Sequence, residues 1–282
     1  MGGEDEMESK SEISLDSVHL TLGAHASRED GMCALEAIAW LAGEPHGADP
    51  VCVCPVLAGY FAGLNDTARS QEERDALKPY LWRAIGTSDD GREVERSWMA
   101  LDWLVRVQTP TWLEAGGLQE QAAALRAEPE ICERGAFERA LPALMRARKA
   151  WDDAWDAARD DVWDAAGVAA ADAAASVGWY AVAASGWDAG VAAAWVAAFA
   201  AARRTPRPSA WPAAIDAALG AVRGAAKVAA WDDALGSALW ASQPTPYTMK
   251  TAARTAAQAA LRPVVDALRA SAMDLLGRMV RS

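Results

Sequence analysis

The sequence predicts a mainly α-helical protein in two parts: an N-terminal helical globular block, then an alanine- and tryptophan-rich helical bundle or array. Three observations carry that expectation. Apolar residues in the first 117 positions recur at helical spacing between glycine and proline stops. Alanine, the strongest helix former, takes 23 of the 52 positions from Trp151 to Ala202. Tryptophans at 151, 155, 163, 179, 187 and 195 are spaced by multiples of four, so they return to one slowly drifting helical face. Small residues let helices approach closely, and the large indoles act as knobs over neighbouring turns.

The elements follow in chain order. Residues 1–17 are acidic and polar and read as a disordered tail. Val18 to Leu22 is the one candidate strand, although a helix start fits five residues equally well. Ser27 to Asp30 offers cap residues for a helix over Met32 to Ala42, where Leu35, Ile38, Ala39 and Ala42 share a face and Gly43 stops it. Pro45, Gly47 and Pro50 make a loop, and Pro55 opens a helix over Val56 to Leu64. A helix from Asp66 to Arg83, interrupted near Pro79, leads to a turn at Gly86–Gly91. An amphipathic helix from Glu93 to Gln108 follows, then a short one from Thr109 that Gly116 and Gly117 halt. Together these define an N-terminal helical domain, residues 18–117.

Residues 118–282 form the second expected domain. Gln119 to Arg148 is helical and broken near Pro129 and Gly135. Gly167, Gly178, Gly186 and Gly190 divide the alanine-rich stretch into two or three helices, and a proline-rich break falls at 205–212. Helices over Ala213 to Ala230, Trp231 to Ser242, and Thr248 to Arg281 with Pro263 inside complete the chain. Recurring Trp-Asp-Ala and Trp-Asp-Asp phrases read as degenerate helical repetition. They lack the short strands and turns of a propeller blade.

Charge and composition exclude several classes. The net charge is −12, and residues 151–202 hold one arginine against eight aspartates. An acidic body argues against nucleic-acid binding, which needs clustered lysine and arginine against phosphate. Asp172 and Asp188 cut the least polar stretch into runs shorter than the roughly 20 residues of a membrane span, so no membrane role is expected. The start lacks the basic and apolar regions of an export signal. Four cysteines, three of them bunched, do not form a disulfide framework, so the expected setting is reducing and cytoplasmic.

The chemistry concentrates between Gly23 and Pro55, which holds Cys33, Cys52, Cys54, His25 and His46; beyond it lie only Cys132 and no histidine. One expectation is a zinc or other soft-metal site drawn from His25, Cys33, His46, Cys52 and Cys54. A single residue between Cys52 and Cys54 splays their side chains in an extended chain, and cysteine as a small buried hydrophobe competes with the metal. A second expectation is catalytic: Cys33 as nucleophile with His25 as base. Asp30-Gly31-Met32-Cys33 places the thiol at a helix N-terminus, where N–H groups and the dipole depress its pKa. That phrase is similar to the nucleophile motif of ovarian-tumour-type deubiquitinases and, more loosely, of papain-like proteases. Those families draw their histidine from far downstream, where this chain has none.

Two further features carry charge patterns of their own. Asp152, Asp153 and Asp156 form a DDxxD pattern similar to the magnesium-diphosphate motif of all-α terpene and prenyl-diphosphate synthases. Asp160 and Asp164 extend it along one helical face. No second metal motif follows, and a solvated charged face is the competing reading. The last helix carries Lys250, Arg254, Arg262, Arg269, Arg278 and Arg281, which are expected to pair with the acidic 151–164 face of the same molecule.

The phrases GMCALEAIAWLAGEPH, CVCPV and DWLVR, within residues 22–117, resemble an uncharacterised protein family of actinobacteria, myxobacteria and actinobacteriophages. The tryptophan-aspartate-alanine tail resembles tails on the same proteins. That resemblance implies kinship and a phage or high-GC bacterial source, and no mechanism. The function expected is therefore that of a cytoplasmic, phage-related helical interaction or scaffold protein that binds a protein partner or self-associates. The alternative is a Cys/His-dependent metal-binding protein or cysteine hydrolase centred on Cys33 and His25.

Overall fold

The structure, a computed structural model, describes Leu15 and residues 18–159, 165–186, 190, 211–241 and 245–281. The acidic tail apart from Leu15, and the proline-rich break up to residue 210, lie outside the described residues. So do the side chains of residues 155–159, 165 and 211–217. The fold is mainly α, as the sequence predicts.

Helix α1 (Ala34–Ala42) begins two residues later than expected, because Cys33 is extended (φ −76°, ψ 174°) and serves as its N-cap. It ends at Gly43, whose left-handed backbone (φ 75°) lets its N–H reach Trp40 O at 3.0 Å. Residues 18–22 form no strand. A single parallel bridge joins Leu20 to Met32, with Thr21 N donating to Met32 O at 2.8 Å.

Helix α2 (Pro55–Asp66) starts on its proline, as expected. The predicted 66–83 helix divides into α3 (Gln71–Asp75), capped by Ser70, and α4 (Lys78–Ala84). Pro79 sits in the first turn of α4, where a missing N–H costs nothing, so it begins a helix instead of interrupting one.

Helix α5 (Glu93–Trp103) runs through a single π turn, Leu104–Gln108, into α6 (Thr109–Ala115). Pro110 has no N–H to continue the α ladder. Thr109 compensates: its N–H reaches Leu104 O, and its hydroxyl donates to the same carbonyl at 2.6 Å.

After the short α7 (Gln119–Arg126), four long helices pack up-down-up-down: α8 (Arg134–Arg159), α9 (Ala165–Ala184), α10 (Trp211–Leu239) and α11 (Pro246–Met279). Arg148 and Trp151 of α8 lie over Gly220 and Gly224 of α10, which makes those two helices parallel. Asp172 pairs with Lys250, and Gly186 meets Ala272, so α9 parallels α11.

The expected breaks at Gly167, Gly178 and residue 230 do not occur; α9 and α10 are continuous there. Interior glycine costs a helix about 1 kcal/mol, but tertiary contact overrides that. At Gly178 a Cβ would come within 3.4 Å of Lys227 N, so its absence lets α9 and α10 lie close. The Trp151 indole occupies the space a Cβ on Gly224 would fill, the small-against-large packing expected of this half.

The two blocks share one continuous core. Buried Arg269 of α11 donates to Leu64 O (2.8 Å), closing α2, and to Ala184 O (3.3 Å), closing α9; its Nε lies 3.2 Å from Glu73. Fully buried Arg96 of α5 pairs with Asp90 and donates to Met279 O at 3.0 Å. Trp103 Nε1 donates to Ser271 Oγ at 2.9 Å. The expected pairing of the last helix with residues 151–164 takes other partners among the described residues: Lys250 meets Asp172, Arg269 meets Glu73, and Arg278 meets Asp274. The side chains of Asp156, Asp160 and Asp164 lie outside the described residues; Asp153 pairs with Lys149.

Candidate functional site

The Leu20–Met32 bridge lays residues 20–25 against the N-terminus of α1, and the first turn of that helix organises everything nearby. Glu36 is its third residue, and its side chain turns back over the helix start. Oε2 accepts from Cys33 N at 2.8 Å, and Oε1 accepts from His25 N at 2.6 Å. The His25 ring closes the arrangement, with Nδ1 2.9 Å from Oε2.

The Glu36 carboxyl is wholly inaccessible to solvent. Burial on its own would raise its pKa, yet the two backbone N–H donors and the His25 ring outweigh burial and hold it below the usual carboxylate range. His46 stands at the second oxygen, its Nε2 3.6 Å from Oε1 and 3.2 Å from His25 O.

The other face of the imidazole is also engaged. His25 Nε2 lies 3.1 Å from Thr21 Oγ1, which also accepts from Met32 N at 3.0 Å. The Thr21 hydroxyl carries one proton and has two acceptors in reach, His25 Nε2 and Met32 O at 3.2 Å. Glu36, His25 and Thr21 thus form a carboxylate–imidazole–hydroxyl chain. Gly31 covers it: with φ 137°, a Cβ there would sit 2.6 Å from Thr21 Oγ1 and 3.0 Å from the His25 ring. Asn65 of α2 fastens the assembly, accepting from Ala34 N (3.2 Å) and donating to Thr21 O (3.0 Å).

The predicted site residues fall into two groups. His25, Cys33 and His46 gather at Glu36, but no hydrogen bond joins Cys33 to His25, whose ring nitrogens face Glu36 and Thr21. Burial pushes the Cys33 thiol up to about 11; the helix N–H groups oppose this, and the Glu36 charge reinforces it. The depressed pKa expected from the helix N-terminus is therefore reversed, because desolvation and a neighbouring anion together outweigh the dipole.

Cys52 and Cys54 belong to a different loop. Glu44 accepts from Cys52 N at 2.9 Å, and burial followed by the Glu44 carboxylate lifts the Cys52 thiol to about 11. Buried Cys54 caps α2, with its N–H donating to Thr87 Oγ1 at 3.0 Å. Among the described residues no three His, Cys, Asp or Glu side chains are placed to hold a metal ion together.

Glu36, Thr21 and Asn65 were not singled out as site residues from sequence. A glutamate three positions after a cap residue is the pattern that would have found the first. The single asparagine of the chain was visible, but its reach to two segments was not.

Compared with protein-family models, curated proteins and solved structures, the chain matches none. Among the described residues, no helix is long and apolar enough to cross a membrane.

Proposed function

We propose that this chain is a cytoplasmic, phage-related helical interaction protein, and that it binds a protein partner through surface residues at the C-terminus of α10 and the N-terminus of α11. The supporting observation is a set of large apolar side chains exposed at those helix ends. Leu239, Trp240 and Tyr247 are 54%, 88% and 80% exposed, while Trp103 and Trp112 elsewhere are buried. Lone exposed apolar residues need no explanation, but three fall at two consecutive helix ends, and tryptophan and tyrosine dominate protein interfaces energetically. The net charge of −12 supports a protein partner over nucleic acid.

The test replaces Trp240 and Tyr247 together with alanine. Both are surface residues, so circular dichroism and melting should be unchanged. A partner cross-linked to a photoreactive group at position 239, or concentration-dependent self-association in sedimentation, should be lost. Association identical in both proteins would remove the proposal.

A second reading has its own observation, the Glu36–His25–Thr21 chain. It makes Thr21 an acyl acceptor, His25 the base that takes the hydroxyl proton, and Glu36 the group that orients the ring. Hydrolysis of p-nitrophenyl acetate above background, lost in Thr21→Val and His25→Gln with the fold intact, supports it. Background turnover by the parent protein rejects it.

A further inference from the structure

A groove of about 880 Å³ runs between α9 and α11 and shares no lining residue with the Glu36 cluster. Its floor is apolar, built from Val177 and Ala181 on one side and Leu261 and Val265 on the other. Arg254 and Arg262 stand at its rim, both exposed. Neither makes a hydrogen bond or ion pair among the described residues. Their neighbours differ: Arg69, at the same groove, is engaged by Glu73 and Asp266, and Lys250, one turn earlier, by Asp172. Among the described residues, then, two guanidinium groups without a partner flank an apolar trough on a chain of net charge −12.

We propose that this groove receives an acidic amphipathic helix of a partner protein, with Arg254 and Arg262 each holding a carboxylate. The eight-residue spacing of the arginines corresponds to about 12 Å along α11, or about two turns of an incoming helix. Carboxylates seven or eight positions apart on that helix reach both arginines. Its apolar residues at i, i+3, i+4 and i+7 lie on the Val177–Leu261–Val265 floor. The rim residues are exposed, so a small ligand would stay partly uncovered, whereas a helix closes the trough lengthwise. The complementary charge also selects against basic helices, which the two arginines repel.

The experiment uses the full chain and three synthetic probes. One is an amphipathic helical peptide with a leucine stripe and two glutamates two turns apart; the second has those glutamates replaced by lysine; the third is dodecanoate. Fluorescence anisotropy should show salt-sensitive binding of the acidic peptide by the parent protein. The double variant R254E/R262E should lose about tenfold or more in affinity for it and gain the lysine peptide instead. Reversal of preference separates a specific contact from general damage, because a misfolded protein would bind neither. The variant lacking Trp240 and Tyr247 should bind the acidic peptide unchanged, which keeps this groove distinct from the surface at those two residues. Equal affinity of parent and R254E/R262E for the acidic peptide overturns the proposal. So does saturable binding of dodecanoate with none of the peptide, which would assign the groove to a small amphiphile.

Discussion

Replacing Glu36 with glutamine probes the centre of the early cluster with almost no change in shape. In the folded protein its two oxygens take N–H donors from His25 and Cys33 and face the His25 ring. Hydrogen bonds to a charged acceptor contribute about 1.5–3 kcal/mol each. Glutamine keeps one acceptor oxygen, so its amide NH₂ must face either the His25 or the Cys33 backbone N–H, donor against donor in a buried site. Leaving a buried donor unsatisfied in this way costs about 1–3 kcal/mol, which for a chain of this size lowers Tm by roughly 2–9 °C.

The pH dependence has a fixed sign. The folded carboxyl has a lower pKa than the unfolded one, so Glu36 stabilises fully above the ordinary carboxylate range. That contribution is lost as the pH falls through the lower, folded value. Urea unfolding of parent and E36Q at neutral pH and at progressively acidic pH measures both effects. A difference under about 1 kcal/mol at neutral pH, or one that does not narrow in acid, would refute the account of the cluster.

Other expectations follow from single observations. Iodoacetamide at neutral pH should label exposed Cys132 before Cys33 and Cys52, whose thiols are held protonated, and peptide mass spectrometry reads the order. Chelation with EDTA should leave Tm unchanged, since no three candidate ligands converge among the described residues; a fall in Tm would restore the zinc expectation. Gly116→Ala places a Cβ 2.8 Å from Ala225 O and 2.9 Å from its Cα, main-chain atoms of α10, so calorimetry should show a loss of about 1–3 kcal/mol. Gly236→Ala meets no atom within 4 Å inside the same helix and should gain about 0.5–1 kcal/mol.

Local signals were legible in the sequence where backbone chemistry decides the outcome. Gly43 stops α1 and Pro55 starts α2 because left-handed φ and a missing N–H leave few alternatives. Boundaries that depend on a partner were not legible. Gly178 reads as a break, yet the close approach of α10 makes it an interior residue. Pro110 reads as a fresh start, whereas the Thr109 hydroxyl and N–H carry the chain through a π turn.

The same divide applies to the site. Closeness along the chain grouped His25, Cys33 and His46 with Cys52 and Cys54 but could not show that Glu36 would be buried beside the first three. That burial decides whether the thiol is acidic or inert. The split of Cys52 and Cys54 from the others depends on the Thr87 turn and Glu44, contacts set by tertiary packing.

Arg96 and Arg269 tie carbonyls to guanidinium groups 183 and 205 residues away along the chain. Deletion mapping would be misled by this topology. Removing α11 would strip Leu64 and Ala184 of their closing donor and open the floor beneath α2, whose Asn65 braces the His25 cluster. A property of the His25 cluster would then vanish with a segment that makes no hydrogen bond to that cluster. Point substitutions, not shortened fragments, are the means of assigning roles within this molecule.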